Sequence, residues 1–300
     1  MKAFYQKAFW TLAFLGKPFG GIRPHRIMHW IAHRGFGRSD VVSGKTYQVR
    51  SAWGLLKVHP FYHLDREVIV SGCYDRPLHR FLAGYVKRGM IVLDVGANIG
   101  EVTIHMSKLT GPEGRVYAFE PAPTIVQRLR ENVALNALEG VVRISEAALS
   151  AETGESLFSF AGIDMENQGM GSLVNRANDV VSKEVVVNTL KLDDFVSREG
   201  LKNIALAKVD IQGGEIGFLE GGARTLQEFS PDLVMEVSPS DLLAMGKKPS
   251  DLLRMLEWLG YRTYAFGKNG PTTTEVRSET VDTMGLSLNV FCTRKTVPIH

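Results

Sequence analysis

Asp94, Gly96, Gly100, Glu120, Asp210 and Glu236 all fall at or near the ends of short apolar runs, where an open α/β sheet would gather them. The first three belong to Val92-Leu93-Asp94-Val95-Gly96-Ala97-Asn98-Ile99-Gly100, an apolar stretch that breaks into a glycine loop. A loop of this kind, where a strand hands over to a helix, uses glycine for a tight bend and for close approach of a ligand. Its spacing separates the cofactors. A dinucleotide loop reads G-x-G-x-x-G, with the middle glycine opening the backbone to the pyrophosphate. Here Ala97, Asn98 and Ile99 fill that gap. No Gly-Lys-Ser/Thr follows, which excludes a P-loop. What remains is a nucleoside ligand without phosphates, whose amino-acid part can use Asp94.

Glu120 stands 20 residues after Gly100, at the end of the next apolar run. An acid there accepts both ribose hydroxyls. NAD sites use the same device, and an acid ahead of Pro121 also suits a helix N-terminus, so Glu120 alone does not decide. An acid and a GxxxG before the turn, with an acid after it, favour S-adenosylmethionine over NAD. Ala97, Asn98 and Pro121 share these two loops. Glu146 and Ala147, at the end of the third run, are candidate contacts on the adenine side.

The elements that would position these residues follow from apolar periodicity. Ile91–Val95, Arg115–Glu120, Val141–Leu149, Ile204–Asp210 and Leu233–Val237 read as buried parallel strands. Thr103–Leu109, Ile125–Leu135 and Gly213–Leu226 read as helices between them, and a further helix starts at Ser240 or Ser250 and runs to Leu259. Arg262–Phe266 and Leu286–Thr293 close the sheet. Glu155–Phe160 and Glu184–Leu190 alternate like exposed strands on either side of a polar, Gly-rich segment, which reads as an inserted hairpin arm. Such strand–helix units predict a doubly wound, mostly parallel sheet with right-handed crossovers.

Taken together, several stretches resemble the FkbM family of class I methyltransferases. They are Val92–Gly100, Phe119-Glu120-Pro121, Glu131–Asn136, Ala147–Ser150, Thr189-Leu190, Lys208–Glu215, Leu219–Ala223 and Met235-Glu236-Val237. The likeness covers roughly residues 65–240. It implies an α/β fold with a seven-stranded Rossmann-like sheet, S-adenosylmethionine as donor, and O-methylation of a hydroxyl on a glycan, a lipid or a secondary metabolite. One departure stands out. The family usually reads Asp-x-Glu-Gly after the fourth strand, and here the third position is Gln212.

Methyl transfer to an alcohol is an in-line displacement in which the protein positions the nucleophilic oxygen, excludes water and accepts a proton. Asp210 is the first candidate for orienting the acceptor or taking its proton, although a short acid after a strand also caps helices. Glu236 is the second, and Glu215 is a candidate supporting group. The histidines form no H-E-x-x-H pattern. His25, His29 and His33 would share a helix face, but no carboxylate or Cys completes a metal site, so no metal is expected.

Composition sets the outer bounds. The chain has 300 residues, 44% hydrophobic and 22% charged, which excludes wholesale disorder and a multi-span membrane protein. Two cysteines build no disulfide framework, and a reducing, cytoplasmic setting is the default. The net charge of +3 is unevenly spread: residues 1–50 carry nine Lys/Arg against Asp40 alone, a net +8. A basic, aromatic leader suits an anionic surface such as lipid headgroups on the inner face of a membrane, through residues 1–38, or is simply a solvated arm. The uncharged run Ala8–Gly16 is far short of the roughly 20 residues that span a bilayer. Within it, the stripe Phe4, Ala8, Leu12, Leu15 suits a helix packed on the body or dipped into an interface. The expected organisation is a basic extension at 1–50 and a catalytic unit at 51–300. Within that unit, 51–90 forms a cap, 91–150 the cofactor half, 151–190 the hairpin insertion, and 191–300 the second half. Nucleic acid is disfavoured as acceptor, because no Asp/Asn-Pro-Pro-Tyr/Phe follows the fourth strand and neither cysteine follows a proline. A membrane-associated cofactor-binding protein that keeps the fold but has lost turnover is the other alternative, with Gln212 as its first suspect.

Overall fold

Apolar runs of four to six residues, too short for helices and buried on both faces, settle into the middle of one sheet. The computed structural model describes residues 1–15, 25–36, 46–161, 182–283, 285 and 287–295. Helices α1 (Lys2–Leu15) and α2 (His25–Gly35) pack on each other. Strands β1 (Tyr47–Arg50) and β2 (Leu55–Val58) pair as an antiparallel ribbon. Helices α3 (His63–Ser71) and α4 (Arg76–Tyr85) follow. The next units are β3 (Ile91–Val95), α5 (Glu101–Thr110), β4 (Arg115–Phe119), α6 (Pro123–Leu135) and β5 (Val142–Ser145). Three further strands, β6 (Ala148–Leu149), β7 (Gly154–Ala161) and β8 (Ser182–Leu190), make a separate sheet in the order β6-β8-β7. The chain continues through α7 (Leu192–Glu199), β9 (Leu206–Val209), α8 (Glu215–Gly221), α9 (Ala223–Phe229), β10 (Asp232–Val237), α10 (Pro239–Ala244) and α11 (Pro249–Trp258). It closes with β11 (Arg262–Gly267), β12 (Gly270–Glu275) and β13 (Leu288–Thr293).

The main sheet has the order β12-β11-β13-β10-β9-β3-β4-β5, and β10, β9, β3, β4 and β5 are mutually parallel. Strand β13 runs antiparallel between β10 and β11. The fold is therefore the Rossmann-like α/β sheet expected, with eight strands rather than seven. The eighth, β12, reads Gly-Pro-Thr-Thr-Thr-Glu; it lies on the edge, where a Pro and a polar run are tolerated but leave no apolar signature.

Three other elements differ from their expected bounds. The run Val141–Leu149 divides after Ser145, because Ala148 and Leu149 leave the main sheet to pair with Thr189 and Leu190. The helix at Gly213–Leu226 is two helices that meet at Gly222. The alternative starts for the helix before Leu259 are both used, each with Pro in the first turn. The two strands of the inserted arm pair antiparallel from Gly154↔Thr189 to Ala161↔Ser182. The Gly-rich segment between them lies outside the described residues.

Alternate residues of the strands feed two cores, Val92 and Val116 on one face and Leu93, Val95 and Met235 on the other. The β1–β2 ribbon is tied to α6 by Asn132 and Asn136, whose Oδ1 atoms accept the Lys57 and Leu55 N–H at 2.7 and 3.0 Å. After β3 the chain winds outward to β4 and β5, then returns to place β9 on the other side of β3. The crevice beyond the carboxyl ends of β3 and β9 is therefore a topological switch point, where this architecture binds ligands.

Candidate active site

A cavity of about 700 Å³ opens at that crevice. Its floor is the β3–α5 turn. Gly96 and Ala97 both donate their N–H to Phe119 O, at 3.0 and 2.9 Å, which ties the turn to β4. Gly96 adopts φ +78°, and a Cβ there would lie 1.9 Å from Asp210 O. At Gly100, φ +91°, a Cβ would lie 2.5 Å from Leu129 Cδ1. Both glycines are thus demanded by the chain's own close packing, rather than by the approach of a ligand.

Glu120 sits at the end of β4, buried. Its Oε2 accepts the Asn98 N–H and its Oε1 accepts the Ala122 N–H, both at 3.0 Å. Glu120 lines the ligand cavity, and it reaches only the N–H of Ala122, the N-cap of α6, without capping the helix's first turn. Burial pushes the carboxyl up to about 7 despite these two donors. A ligand that offers hydroxyl donors would bring it back down. Asn98, at φ +50°, turns its Oδ1 onto the Ile99 N–H at 2.7 Å and leaves its backbone for Glu120.

The opposite end of the cavity is acidic and polar. Gln212, at φ +54°, donates from Nε2 to Asp210 Oδ1 at 3.0 Å and to Glu236 Oε2 at 3.2 Å. Burial, then the charge of Asp210 and a hydrogen bond to it, push Glu236 up to about 8. At neutral pH this pair therefore retains a proton. Glu215 is buried at the start of α8, accepts the Ile211 N–H at 3.2 Å, and is pushed by burial up to about 7. Tyr74, Ser238, Ser287 and Asn289 complete this side of the wall. Asn289 is held by its Nδ2 donating to Asp75 Oδ2 at 2.7 Å.

Of the residues expected from sequence, Gly96, Ala97, Asn98, Glu120, Pro121, Ala147, Asp210 and Glu236 line this one cavity. Asp94, Gly100 and Glu146 do not. Asp94 lies beneath the floor, fully buried, accepting from Thr103 Oγ1 at 2.5 Å and lying 3.5 Å from Lys208 Nζ. Glu146 points away to Arg130 of α6 at 2.9 Å, because the departure of β6 from the main sheet turns Ala147, and not its neighbour, inward. The side chains of His25, His29 and His33 lie outside the described residues. Among those described, no group of three or more acids, His or Cys is arranged to hold a metal.

Lys208 was not among the expected site residues. Its Nζ donates to Gly96 O at 2.8 Å and lies 3.7 Å from Asp210 Oδ2, so one buried ammonium joins Asp94, the glycine turn and Asp210. Its signal was a charged residue in the otherwise apolar strand Leu206-Ala207-Lys208-Val209. Arg128 is likewise new. It lies on the cavity wall, ion-paired to buried Asp65.

The donor set fits a nucleoside carrying an amino acid. Glu120 retains acceptor capacity, and Ile99, Phe119 and Ala147 offer an apolar slot. The cavity is of the size ordinary ligand sites have.

Known proteins similar in sequence are methyltransferases. The 2-O-methyltransferase NoeI of Sinorhizobium fredii is 28% identical over 160 residues, 50% of this chain and 64% of that protein. The 31-O-demethyl-FK506 methyltransferase FkbM of Streptomyces tacrolimicus is 28% identical over 182 residues, 53% of this chain and 67% of its own length. The matched part is thus about two thirds of each relative. A solved structure, methyltransferase FkbM from Methylobacillus flagellatus, superimposes with a TM-score of 0.43 at 15% identity, over 95% of this chain and 58% of that one. Residues 94–263, more than half of the chain, match the methyltransferase FkbM domain, and the chain belongs to the FkbM methyltransferase family.

Proposed function

We propose that the protein is an S-adenosylmethionine-dependent O-methyltransferase acting on a hydroxyl of a glycan, a glycolipid or a secondary metabolite. The observation that carries this reading is the placement of Glu120 and the Asp210–Glu236 pair at two ends of one cavity, on either side of a glycine turn. The names of the two relatives, a 2-O-methyltransferase and a 31-O-demethyl-FK506 methyltransferase, support oxygen as the accepting atom.

Glu120 would hold the ribose hydroxyls, with the Asn98 and Ala122 N–H groups fixing its carboxylate. Ile99, Phe119 and Ala147 would flank the adenine. Asp94, enclosed beneath the turn by Lys208 and Thr103, would hold the turn in shape for the amino-acid part. The donor supplies a methyl group already activated on a sulfonium. The remaining work falls on the chain, which must hold the acceptor oxygen in line, keep water out and take a proton. Asp210 and Glu236, joined through Gln212, would orient the acceptor hydroxyl and accept its proton. Gln212 keeps the two carboxylates at hydrogen-bond distance from one neutral donor, which a third acid could not do. Tyr74, Ser238, Ser287 and Asn289 suit an acceptor rich in hydroxyls. The carboxylates around them, Asp75, Glu101 and Asp241 in addition to the pair, disfavour a phosphate-rich acceptor such as RNA.

The test is a transfer assay with radiolabelled methyl donor across neutral glycans, glycolipids and hydroxylated metabolites. Label should appear on an alkali-stable ether, and Asp210→Asn or Glu236→Gln should cut the rate on the order of 10²-fold or more. Label on a nitrogen, or full activity in both variants, would contradict this reading.

A further inference from the structure

Helices α1 and α2 are anchored by one side only. Phe9, Ala13, Met28, Ile31, Ala32 and Phe36 are buried in the core. Phe36 packs edge-on against Phe9 at 5.4 Å and Tyr47 at 5.8 Å, and Trp10 lies 4.8 Å from Tyr47. Gln6 adds a hydrogen bond from Nε2 to Gly35 O at 2.7 Å. Of the apolar stripe expected from sequence, Ala8 and Leu12 are half-buried against this core, while the end of the stripe at Phe4 turns outward. Its first member, Phe4, is 70% exposed.

The outward side carries large apolar side chains among its cations. Phe4, Ile27 and Trp30 are exposed, at 70%, 53% and 49%. They form one patch: Tyr5 touches both Phe4 (5.6 Å) and Trp30 (5.7 Å), and Ile27 is one helical turn from Trp30. The rim is basic. Arg34 stacks on Trp30 with its guanidinium carbon 3.9 Å from the ring centre, and Lys7, exposed, follows Phe4 by one turn. Residues 1–36 include Lys2, Lys7, Lys17, Arg23, Arg26 and Arg34 and not one Asp or Glu. An aromatic–aliphatic face with Lys7 and Arg34 beside it, on a segment whose sequence holds no acid, is complementary to an apolar layer under an anionic surface, and a bilayer with acidic headgroups is that surface.

We propose that the α1–α2 face is an interfacial docking site for anionic lipid bilayers, with Phe4, Ile27 and Trp30 entering the headgroup layer and Lys7 and Arg34 pairing with lipid phosphates. It lies on the surface and does not span. Helix α1 has 14 residues, about 21 Å of helix against roughly 30 Å of hydrocarbon, and no helix among the described residues is long and apolar enough to cross. Helix α2 of that pair abuts α3, whose His63, Leu64, Asp65 and Glu67 line the cavity. Docking would therefore set one wall of the site beside the bilayer.

The test is cosedimentation of the full chain with phosphatidylcholine vesicles, with and without 30% phosphatidylglycerol. The protein should pellet with the anionic vesicles, be released by 0.5 M salt, and bind neutral ones at least tenfold more weakly. Each basic side chain at such a surface contributes about fivefold, so the double variant Lys7→Glu/Arg34→Glu should lose on the order of twentyfold or more. Phe4→Ser/Trp30→Ser should release the protein at any salt. Thermal melting monitors the fold of both variants, which alter only exposed positions. Equal binding to both vesicle types, no binding to either, or binding unchanged in folded variants would overturn the proposal. So would an exposed face that proves to close a dimer or to retain RNA instead.

Discussion

The side-chain amide of Gln212 lies 3.2 Å from the carboxylate of Glu236, and the same nitrogen reaches Asp210 at 3.0 Å. In the family's usual pattern a Glu stands in that position, and three carboxylates would converge there. Here the third member is neutral and bridges the other two. Gln212→Glu should raise the pKa of the pair, because like charges resist common ionisation. The alkaline shift of the activity profile should be about one unit. An unchanged profile would show that Gln212 does not act on the pair.

The pH–rate profile of the unmodified protein follows from the same group. Glu236 is raised to about 8, so below that pH it carries a proton of its own and does not serve as the acceptor of the substrate proton. The rate constant kcat/KM should rise through about 8 and then level. Glu236→Gln should flatten that limb as well as lower the rate. A profile that is flat between 6 and 9 would argue for a different base.

Donor binding should depend on a separate group. Glu120 is raised to about 7 and must ionise to accept two hydroxyls. Affinity for S-adenosylhomocysteine should therefore weaken about tenfold for each pH unit below 7. Calorimetry between pH 5.5 and 8.5 measures this. A constant Kd would mean that the carboxylate does not touch the ribose.

A buried histidine cluster behind the cavity gives a stability prediction of definite sign. His105 Nδ1 lies 2.8 Å from His79 Nδ1, Trp53 stacks on His105 at 3.9 Å, and His79 Nε2 lies 3.0 Å from Glu101 Oε1. Burial, and then the neighbouring His79, push His105 down to about 3. The unfolded chain binds that proton near 6.5, so stability is full above 6.5 and falls as the pH drops toward 3. The slope is about 1.4 kcal/mol per unit from this group. Against the same background, His105→Gln should lose that component; chemical denaturation at pH 7 and 5 compares the two. The same slope in the variant would contradict the assignment.

Gly96 tests the packing of the turn. A Cβ there would lie 1.9 Å from Asp210 O, with φ at +78°. Gly96→Ala should destabilise the fold by more than the about 1–2 kcal/mol that a left-handed residue alone costs. The melting temperature reports it, and a variant as stable as the parent would show that the turn can move.

Much of this was legible in the residues themselves. Ile91–Val95 and the two arms of the hairpin stand where period and composition put them, because burial on both faces leaves a continuous apolar run and half-burial an alternating one. The loop spacing around Gly96 and the acid at 120 pointed to one cavity, since the carboxyl ends of parallel strands must converge there. What stayed hidden depends on tertiary contacts. Nothing local marks the departure of the chain from the main sheet after Ser145, so Glu146 and Ala147 could not be told apart. The polar edge strand β12 has no apolar signature. Asp94 carries the right charge in the right loop, yet Lys208 and Thr103 enclose it beneath the floor. The buried side of α1 followed Phe9 and Ala13, because a helix that is apolar nearly all round leaves the choice of face to its neighbours.

The most direct test of the central claim is calorimetric titration of the purified protein with S-adenosylhomocysteine, with NAD in parallel and Glu120→Ala as control. The site described here predicts binding of S-adenosylhomocysteine alone, lost or weakened at least tenfold in the variant. Binding of NAD instead, or no binding of either to folded protein, would contradict the assignment of the cavity to a methyl donor.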